Sequence, residues 1–263
     1  MKAFDHVKLA RDNNRPHTRD YIDHLFTDFI AFAGDRCGGE DESIIGGIAS
    51  YHGIPVTVIG QQKGSNLKDN LRYNFGMPSP EGYRKVQRLA SQAEKFGRPI
   101  ITLIDTPGAY PGVEAEEHGQ GEAIAECIAQ FSGLSVPVIA VIIGEGGSGG
   151  ALALGVANYV IMLENAIYSI LSPEGFASIL WKDAERHEEA AEVMKLTSDF
   201  LLEAGVADEV VKEPYGGAQN NPAEVFLELD KALAPQVIRL NSLSAQELID
   251  TRRERFERFA LRA

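Results

Sequence analysis

Pro137-Val138-Ile139-Ala140-Val141-Ile142-Ile143 runs directly into Gly144-Glu145-Gly146-Gly147-Ser148-Gly149-Gly150-Ala151. The first half is an apolar, largely β-branched run, the pattern of a strand buried on both faces in a sheet covered by helices. Glycines straight after such a strand let the backbone approach a ligand and aim bare N–H groups at it. The plan occurs a second time, in Pro99-Ile100-Ile101-Thr102-Leu103-Ile104-Asp105 followed by Thr106-Pro107-Gly108-Ala109-Tyr110-Pro111-Gly112. Two such turns predict an active site made of main chain rather than of reactive side chains.

Strands and helices alternate outward from this stretch. Residues 43–50, 54–59, 159–163, 167–171 and 206–211 read as further strands. Helices are expected at 81–96, 114–132, 151–157, 173–181, 185–204, 222–233 and 245–259. Thr18 to Ala33 carries Tyr21, Ile22, Leu25, Phe26, Phe29, Ile30 and Phe32 at helical spacing and reads as one helix with Thr18 as N-cap. This alternation gives an α/β fold with a largely parallel, buried core. The chain, 1–263, reads as one domain, with a helical arm over about 1–33 and terminal helices over about 222–263.

At 263 residues and 44% hydrophobic, the chain is long enough to bury a full core. No apolar stretch is long or clean enough to span a bilayer, and MKAFDHVKLARDNN lacks a signal peptide's apolar block. Two cysteines, Cys37 and Cys127, make no disulfide framework and fit reduced thiols in a cytoplasmic protein. A formal charge of −13 argues against a nucleic-acid binder, whose affinity comes from clustered Lys and Arg.

Several motifs imitate other chemistries. Gly144-x-Gly146-x-x-Gly149 matches the dinucleotide fingerprint with Glu164 about twenty residues on, but the extra glycines and the short following helix weaken that reading. Asp105-Thr106-Pro107-Gly108 resembles the metal-side motif of GTPases, yet the chain has no G-x-x-x-x-G-K-[ST] loop, and Gly60-Gln61-Gln62-Lys63-Gly64-Ser65 has the wrong spacing. Glu114, Glu116, Glu117 and His118 could suggest a metal site, but acidic residues in a first helical turn complement its dipole and face solvent. No metal is therefore expected here. Ser148 stands in a G-x-S-x-G context, for which only His187 follows as a triad partner.

Successive N–H groups at a strand-to-helix turn form a nest for negative oxygen. In acyl or enolate chemistry such a nest is an oxyanion hole, and losing one donor costs about 2.7–4 kcal/mol of barrier. Gly149-Gly150-Ala151 is the foremost candidate, and Pro107 to Gly112 could form the opposite wall with Tyr110 as an aromatic surface.

The strings NFGMPSPEGYRK, ITLIDTPGAYPG, GEGGSGGALALG, YSILSPEGFASILW and EPYGGAQ, in order from about Arg15 onward, resemble the α subunits of bacterial acetyl-CoA carboxylase carboxyltransferases. Many members of that family carry a longer helical stretch before the region matching Arg15. The resemblance implies a crotonase-like (ClpP/crotonase) fold of repeated ββα units with flanking helices. It further implies an α2β2 assembly with a homologous β subunit, which alone carries zinc and chiefly holds acetyl-CoA. Biotin would arrive as carboxybiotin on the biotin carboxyl carrier protein, charged by biotin carboxylase, and the product would be malonyl-CoA. In this family the carboxyl donor itself provides the base. Gly149 and Gly150 would then be main-chain donors to the ureido oxygen. Gly108, Ala109, Tyr110, Gly112, Ser148 and Ala151 would shape the biotin pocket. Arg84, Lys85 and Arg88, beside the proline loop, could meet a CoA phosphate or the partner, or simply form an exposed helix face. The alternatives are a self-sufficient crotonase-like hydratase or decarboxylase using Glu117 or Glu145 as its acid/base, and a non-catalytic scaffold that docks the carrier.

Overall fold

The computed structural model describes residues 1–260. The chain opens with α1 (Ala3–Ala10) and α2 (Thr18–Leu25). A β-layer follows: β1 (Thr27–Ala31), β2 (Ile44–Tyr51) and β3 (Ile54–Gln61). Next come α3 (Leu67–Arg72), α4 (Pro80–Lys95), β4 (Ile100–Thr106), α5 (Val113–Glu117), α6 (Gln120–Gly133), β5 (Val138–Gly147) and α7 (Ser148–Gly155). The remainder is β6 (Tyr159–Leu163), β7 (Ile167–Ser169), α8 (Pro173–Trp181), α9 (His187–Met194), α10 (Ser198–Glu203), β8 (Glu209–Val211), α11 (Pro222–Asn241) and α12 (Ala245–Ala260).

One eight-stranded sheet runs β1-β2-β3-β4-β5-β6-β8, with β7 paired to the far end of β5. The β1–β2 and β2–β3 pairs are antiparallel; every pair from β3 onward is parallel. All residues of β4 and β5 are buried, as apolar runs without alternation require. Helix α7 packs on this central pair, α6 lies between α7 and α4, and α4 covers β2 and β3. The expected α/β class and parallel core are thus what the chain forms.

Residues 18–33 depart from the sequence reading. The helix stops at Leu25 and β1 follows, paired antiparallel with β2 through Ile30↔Ile48 and Ala31↔Gly47. The apolar residues of this stretch carry helical spacing and β1 itself has no alternation, so it is the open edge of β2 that draws residues 27–31 into the sheet. Gly47 makes that pairing possible, since a Cβ there would lie 2.1 Å from the Ile30 carbonyl oxygen. The expected helical arm over 1–33 is therefore two short helices and an edge strand. Thr18 is the first helical residue rather than the cap, and its hydroxyl donates to the Gln61 carbonyl.

Two expected long helices are broken where the backbone turns left-handed. Gly119 (φ +82°) separates α5 from α6, and Lys195 (φ +53°) ends α9 before α10. Conversely, α11 continues through Pro235 to Asn241, beyond the expected stop at Leu233. Of the expected C-terminal helices, residues 261–263 lie outside the described residues.

Candidate functional site

The site lies where β4 and β5 end. Along most of their length the two strands pair residue for residue, up to Ile104↔Ile142. The next pair is Thr106↔Gly146, so Asp105 alone faces Ile143, Gly144 and Glu145. This bulge bends β5 away from β6, its neighbour up to Ile142, and onto β7, its neighbour from Glu145. The strand thereby runs on past β6 and brings Ser148, the first residue of α7, to the surface.

The two glycine turns meet there. A Cβ on Gly147 would lie 2.1 Å from the Pro107 carbonyl oxygen. One on Gly150 would lie 2.7 Å from the Ala109 nitrogen and 2.8 Å from the Gly108 carbonyl carbon. Only glycine permits this contact of backbone with backbone. The first-turn amides of α7, those of Ser148, Gly149 and Gly150, have no acceptor within the helix and carry the positive end of its dipole. Ser148 is exposed, Gly149 half-buried and Gly150 buried, so the donors line a step from surface to interior. Ala151 is buried beneath them.

The opposing turn is held rigidly. Gly108 adopts φ +150°, its amide bonded to Thr106 Oγ1 (3.0 Å). The Tyr110 amide donates to the Pro78 carbonyl (3.0 Å), and Gln120 Nε2 donates to the carbonyls of both Pro78 and Tyr110. Gly112 leaves room for the Tyr110 ring, which a Cβ would meet at 2.4 Å. Tyr110 borders a cavity of about 370 Å³ that it shares with Gly39, Asn74, Ser79, Glu81 and Glu114. A narrow slot of about 10 Å³ runs beside Gly146 and Gly147. Gly108, Ala109, Tyr110, Gly112, Ser148, Gly149, Gly150 and Ala151 are therefore brought to one place.

Beneath the turns lies a charge network, buried at Asp105, His17 and Glu145 and reaching the partly exposed Arg11 and Glu174, that is not legible in the sequence. Lys63 Nζ bridges Asp105 Oδ1 (2.8 Å) and Glu145 Oε2 (2.7 Å). Arg11 Nε reaches Glu145 Oε1 at 2.7 Å and continues to Glu174 at 2.8 Å. His17 Nδ1 donates to Asp105 Oδ2 (3.1 Å). Burial alone would raise the Asp105 carboxyl, but the Lys63 ammonium and the His17 contact hold it well below the usual carboxylate range. Burial also opposes ionisation of Glu145, and Lys63 and Arg11 overcome it, so its pKa too is lowered. Lys63, desolvated but facing both carboxylates, is raised. The available signal was Asp105 itself, a carboxylate closing a strand otherwise built for a dry core.

Other candidates are placed elsewhere. Arg84 pairs with Asp35 (2.9 Å) and Glu81 (2.7 Å), and Arg88 donates to the Ala33 and Gly34 carbonyls. Lys85 is buried rather than on an exposed helix face, its ammonium on Glu40 and the Asp41 carbonyl. All three tie the 33–41 segment to α4. His118 bonds Glu81, while Glu114, Glu116 and Glu117 are exposed. Ser148 has the left-handed backbone of a nucleophile elbow (φ +54°). His187, however, packs on Phe4 and faces the Ala184 carbonyl, and among the described residues no hydrogen bond joins it to Ser148. Glu164 accepts from Lys212 and the Glu213 amide, which engages the carboxylate that a dinucleotide site would direct at a ribose.

Residues 1–260 match the family model described as acetyl co-enzyme A carboxylase carboxyltransferase-like. The chain belongs to this family. It is 57% identical over 258 residues to the acetyl-coenzyme A carboxylase carboxyl transferase subunit alpha of Anoxybacillus flavithermus, covering 98% of this chain and 79% of that one. The corresponding protein of Geobacillus kaustophilus is 56% identical over 259 residues, with the same coverage. Among solved structures, the transcarboxylase 12S core with methylmalonyl-coenzyme A bound superposes with a TM-score of 0.68 at 20% identity, over 88% of this chain and 44% of that one. A Pseudomonas malonate decarboxylase hetero-tetramer in complex with coenzyme A superposes with a TM-score of 0.69 at 16% identity, over 85% of this chain and 90% of that one. The family's fold is the crotonase-like carboxyltransferase fold, and the α/β sheet with its flanking helices is its instance here. No helix among the described residues is long and apolar enough to cross a membrane.

Proposed function

We propose that this chain is the α subunit of an acetyl-CoA carboxylase carboxyltransferase, which moves a carboxyl group from carboxybiotin to acetyl-CoA to give malonyl-CoA. The observation that carries the proposal is the meeting of two glycine turns at the end of β4 and β5, with the first-turn amides of α7 unpaired within the helix. When bound, the biotin group supplies the carboxyl and, once that has left, a basic ureido nitrogen. The Gly149 and Gly150 amides donate to the ureido oxygen where negative charge develops, and the α7 dipole adds to them. Tyr110, on the turn that meets Gly150 through Ala109, offers an aromatic wall. No side chain of this site need act as an acid or base.

The slot beside Gly147 is too small for a ligand, and Ser148 faces outward. These two features support a site completed by a second chain, the carboxyltransferase β subunit in an α2β2 assembly, which would hold acetyl-CoA and the family's zinc. Biotin carboxyl carrier protein would deliver the biotin, and biotin carboxylase would recharge it. A self-sufficient hydratase or decarboxylase is disfavoured by Glu145, which Lys63 and Arg11 hold ionised and engaged. Glu117 is exposed on α5.

The test is malonyl-CoA formation from acetyl-CoA and carboxybiotin by this chain alone, by the β subunit alone and by the co-expressed pair. Activity in the pair only is expected. Activity of the chain alone would favour the self-sufficient reading, and an inactive, well-folded pair would overturn the proposal.

A further inference from the structure

The bulge in β5 opens backbone groups that the ladder no longer pairs, and two buried charged side chains close them. Asp105 Oδ1 accepts the Glu145 amide at 3.0 Å. Arg15 Nε donates to the Ile143 carbonyl at 2.7 Å. The carboxylate of Asp105 also fills the space over Gly144, where a Cβ would lie 2.4 Å from Oδ1. The bulge is therefore clamped at both ends and in the middle, by residues that are about 1% exposed.

Each clamp is itself braced. Arg15 forms a two-pronged pair with Glu213 through Nη1 (2.9 Å) and Nη2 (2.6 Å), and Glu213 in turn accepts the amides of Asn165 and Ala218. Asp105 is braced by Lys63 and His17, and its own amide donates to Gln61 Oε1 (3.2 Å). Gln61 Nε2 donates to the Gly150 carbonyl at 2.8 Å, so the same network reaches the donor turn directly. Neither clamp carries a group that touches the reacting atoms. Their geometry fixes where β5 changes neighbour, and so where α7 begins.

We propose that Asp105 and Arg15 are positioning residues for the main-chain donors: they hold the β5 bulge whose shape aims the Gly149 and Gly150 amides. The inference rests on the proposed carboxyl transfer for its kinetic consequence only, since the clamp is also readable in the chain by itself. A donor displaced by about 1 Å loses about 100-fold in rate, whereas substrate affinity set elsewhere is spared. The clamp therefore acts on kcat and not on KM.

Three variants isolate it. Asp105→Ala removes the acceptor of the Glu145 amide; Asp105→Asn keeps an oxygen for that amide while losing the charge. Arg15→Lys keeps a cation for Glu213 but has no Nε–H for the Ile143 carbonyl. Each is purified as the co-expressed pair with the β subunit, and kcat and KM for acetyl-CoA are measured. Amide hydrogen exchange over residues 143–151 is followed in parallel on this chain. Asp105→Ala and Arg15→Lys are expected to lower kcat by about 10–100-fold with KM within about twofold. Exchange at 143–151 accelerates in both, and Asp105→Asn recovers at least about tenfold of the kcat lost by Asp105→Ala. Unchanged kcat, a loss confined to KM, or Asp105→Asn no better than Asp105→Ala would overturn the inference. If Asp105→Ala does not assemble, Arg15→Lys and Asp105→Asn decide it. If the unmodified pair makes no malonyl-CoA, the functional reading fails and exchange decides the clamp: faster exchange in Arg15→Lys supports it, and unchanged protection refutes it.

Discussion

Replacing Gly150 with alanine perturbs the site at the contact on which the account depends. The added Cβ would lie 2.7 Å from the Ala109 nitrogen, 2.8 Å from the Gly108 carbonyl carbon and 3.0 Å from the Tyr83 hydroxyl. Two of these three neighbours are backbone and cannot rotate away. Ordinary contact begins near 3.4 Å, so the turns must separate by about 0.7 Å. A hydrogen-bond donor has a working window of only about 2.7–3.1 Å to its oxyanion, so this shift removes one donor in effect and lowers kcat by about 100–1000-fold. Overpacking of this kind also costs about 1–3 kcal/mol, or a few degrees of Tm for a chain of this size. Gly149→Ala is the matched control, because its Cβ meets only Ile124 Cγ2, at 3.5 Å. Both variants are assayed as the pair with the β subunit by steady-state malonyl-CoA formation. Gly149→Ala is expected within about threefold of the unmodified kcat, since its N–H is retained. An assembled Gly150→Ala pair with undiminished kcat would refute the reasoning.

Lys63→Met leaves Asp105 and Glu145 buried without their shared cation, and a loss of about 3–5 kcal/mol of stability is expected by denaturant melts at pH 7. Both carboxyls have lowered folded pKa values, so their stabilisation is present above the ordinary carboxylate range and lost as pH falls through the folded values. Tm is therefore expected to hold from about pH 8 to 5 and fall below it, with the fall in Lys63→Met starting at higher pH; coincident curves would contradict this. Gly108→Ala meets no atom within 4 Å but places a side chain at φ +150°, so a cost of about 1–3 kcal/mol in melts is expected from backbone strain alone. Among the described residues the buried Tyr83 hydroxyl has no hydrogen-bond partner, and burial pushes its pKa well above the ordinary value. Tyr83→Phe is expected to leave Tm unchanged or raise it by up to a few degrees; a clear loss would show that the hydroxyl has a partner.

The central strands were legible because the chain writes them as apolar runs with glycine stops, and β4 and β5 follow those runs closely. The two glycine turns were legible for the same reason, although that they touch each other was not. The bulge was invisible, because a change of strand neighbour depends on β7, about twenty residues further on. The charge network was missed because its members lie far apart in the chain: Arg11, Arg15, His17, Lys63, Asp105, Glu145 and Glu213 meet only after folding. In sequence Lys63 stands only in a glycine-flanked stretch that imitates a phosphate loop with the wrong spacing. The edge strand β1 reads as helix because residues 18–33 carry helical apolar spacing and Thr27–Ala31 no alternation; the strand follows from the free edge of β2, which local sequence does not show.

The most direct test is the structure of the pair with the β subunit, soaked with a biotin amide that mimics the carrier-bound group. The ureido oxygen is expected within about 2.7–3.1 Å of the Gly149 and Gly150 amides, with Tyr110 against the ring. A biotin group seated elsewhere, with these amides bonded only to water or to the partner, would contradict that placement.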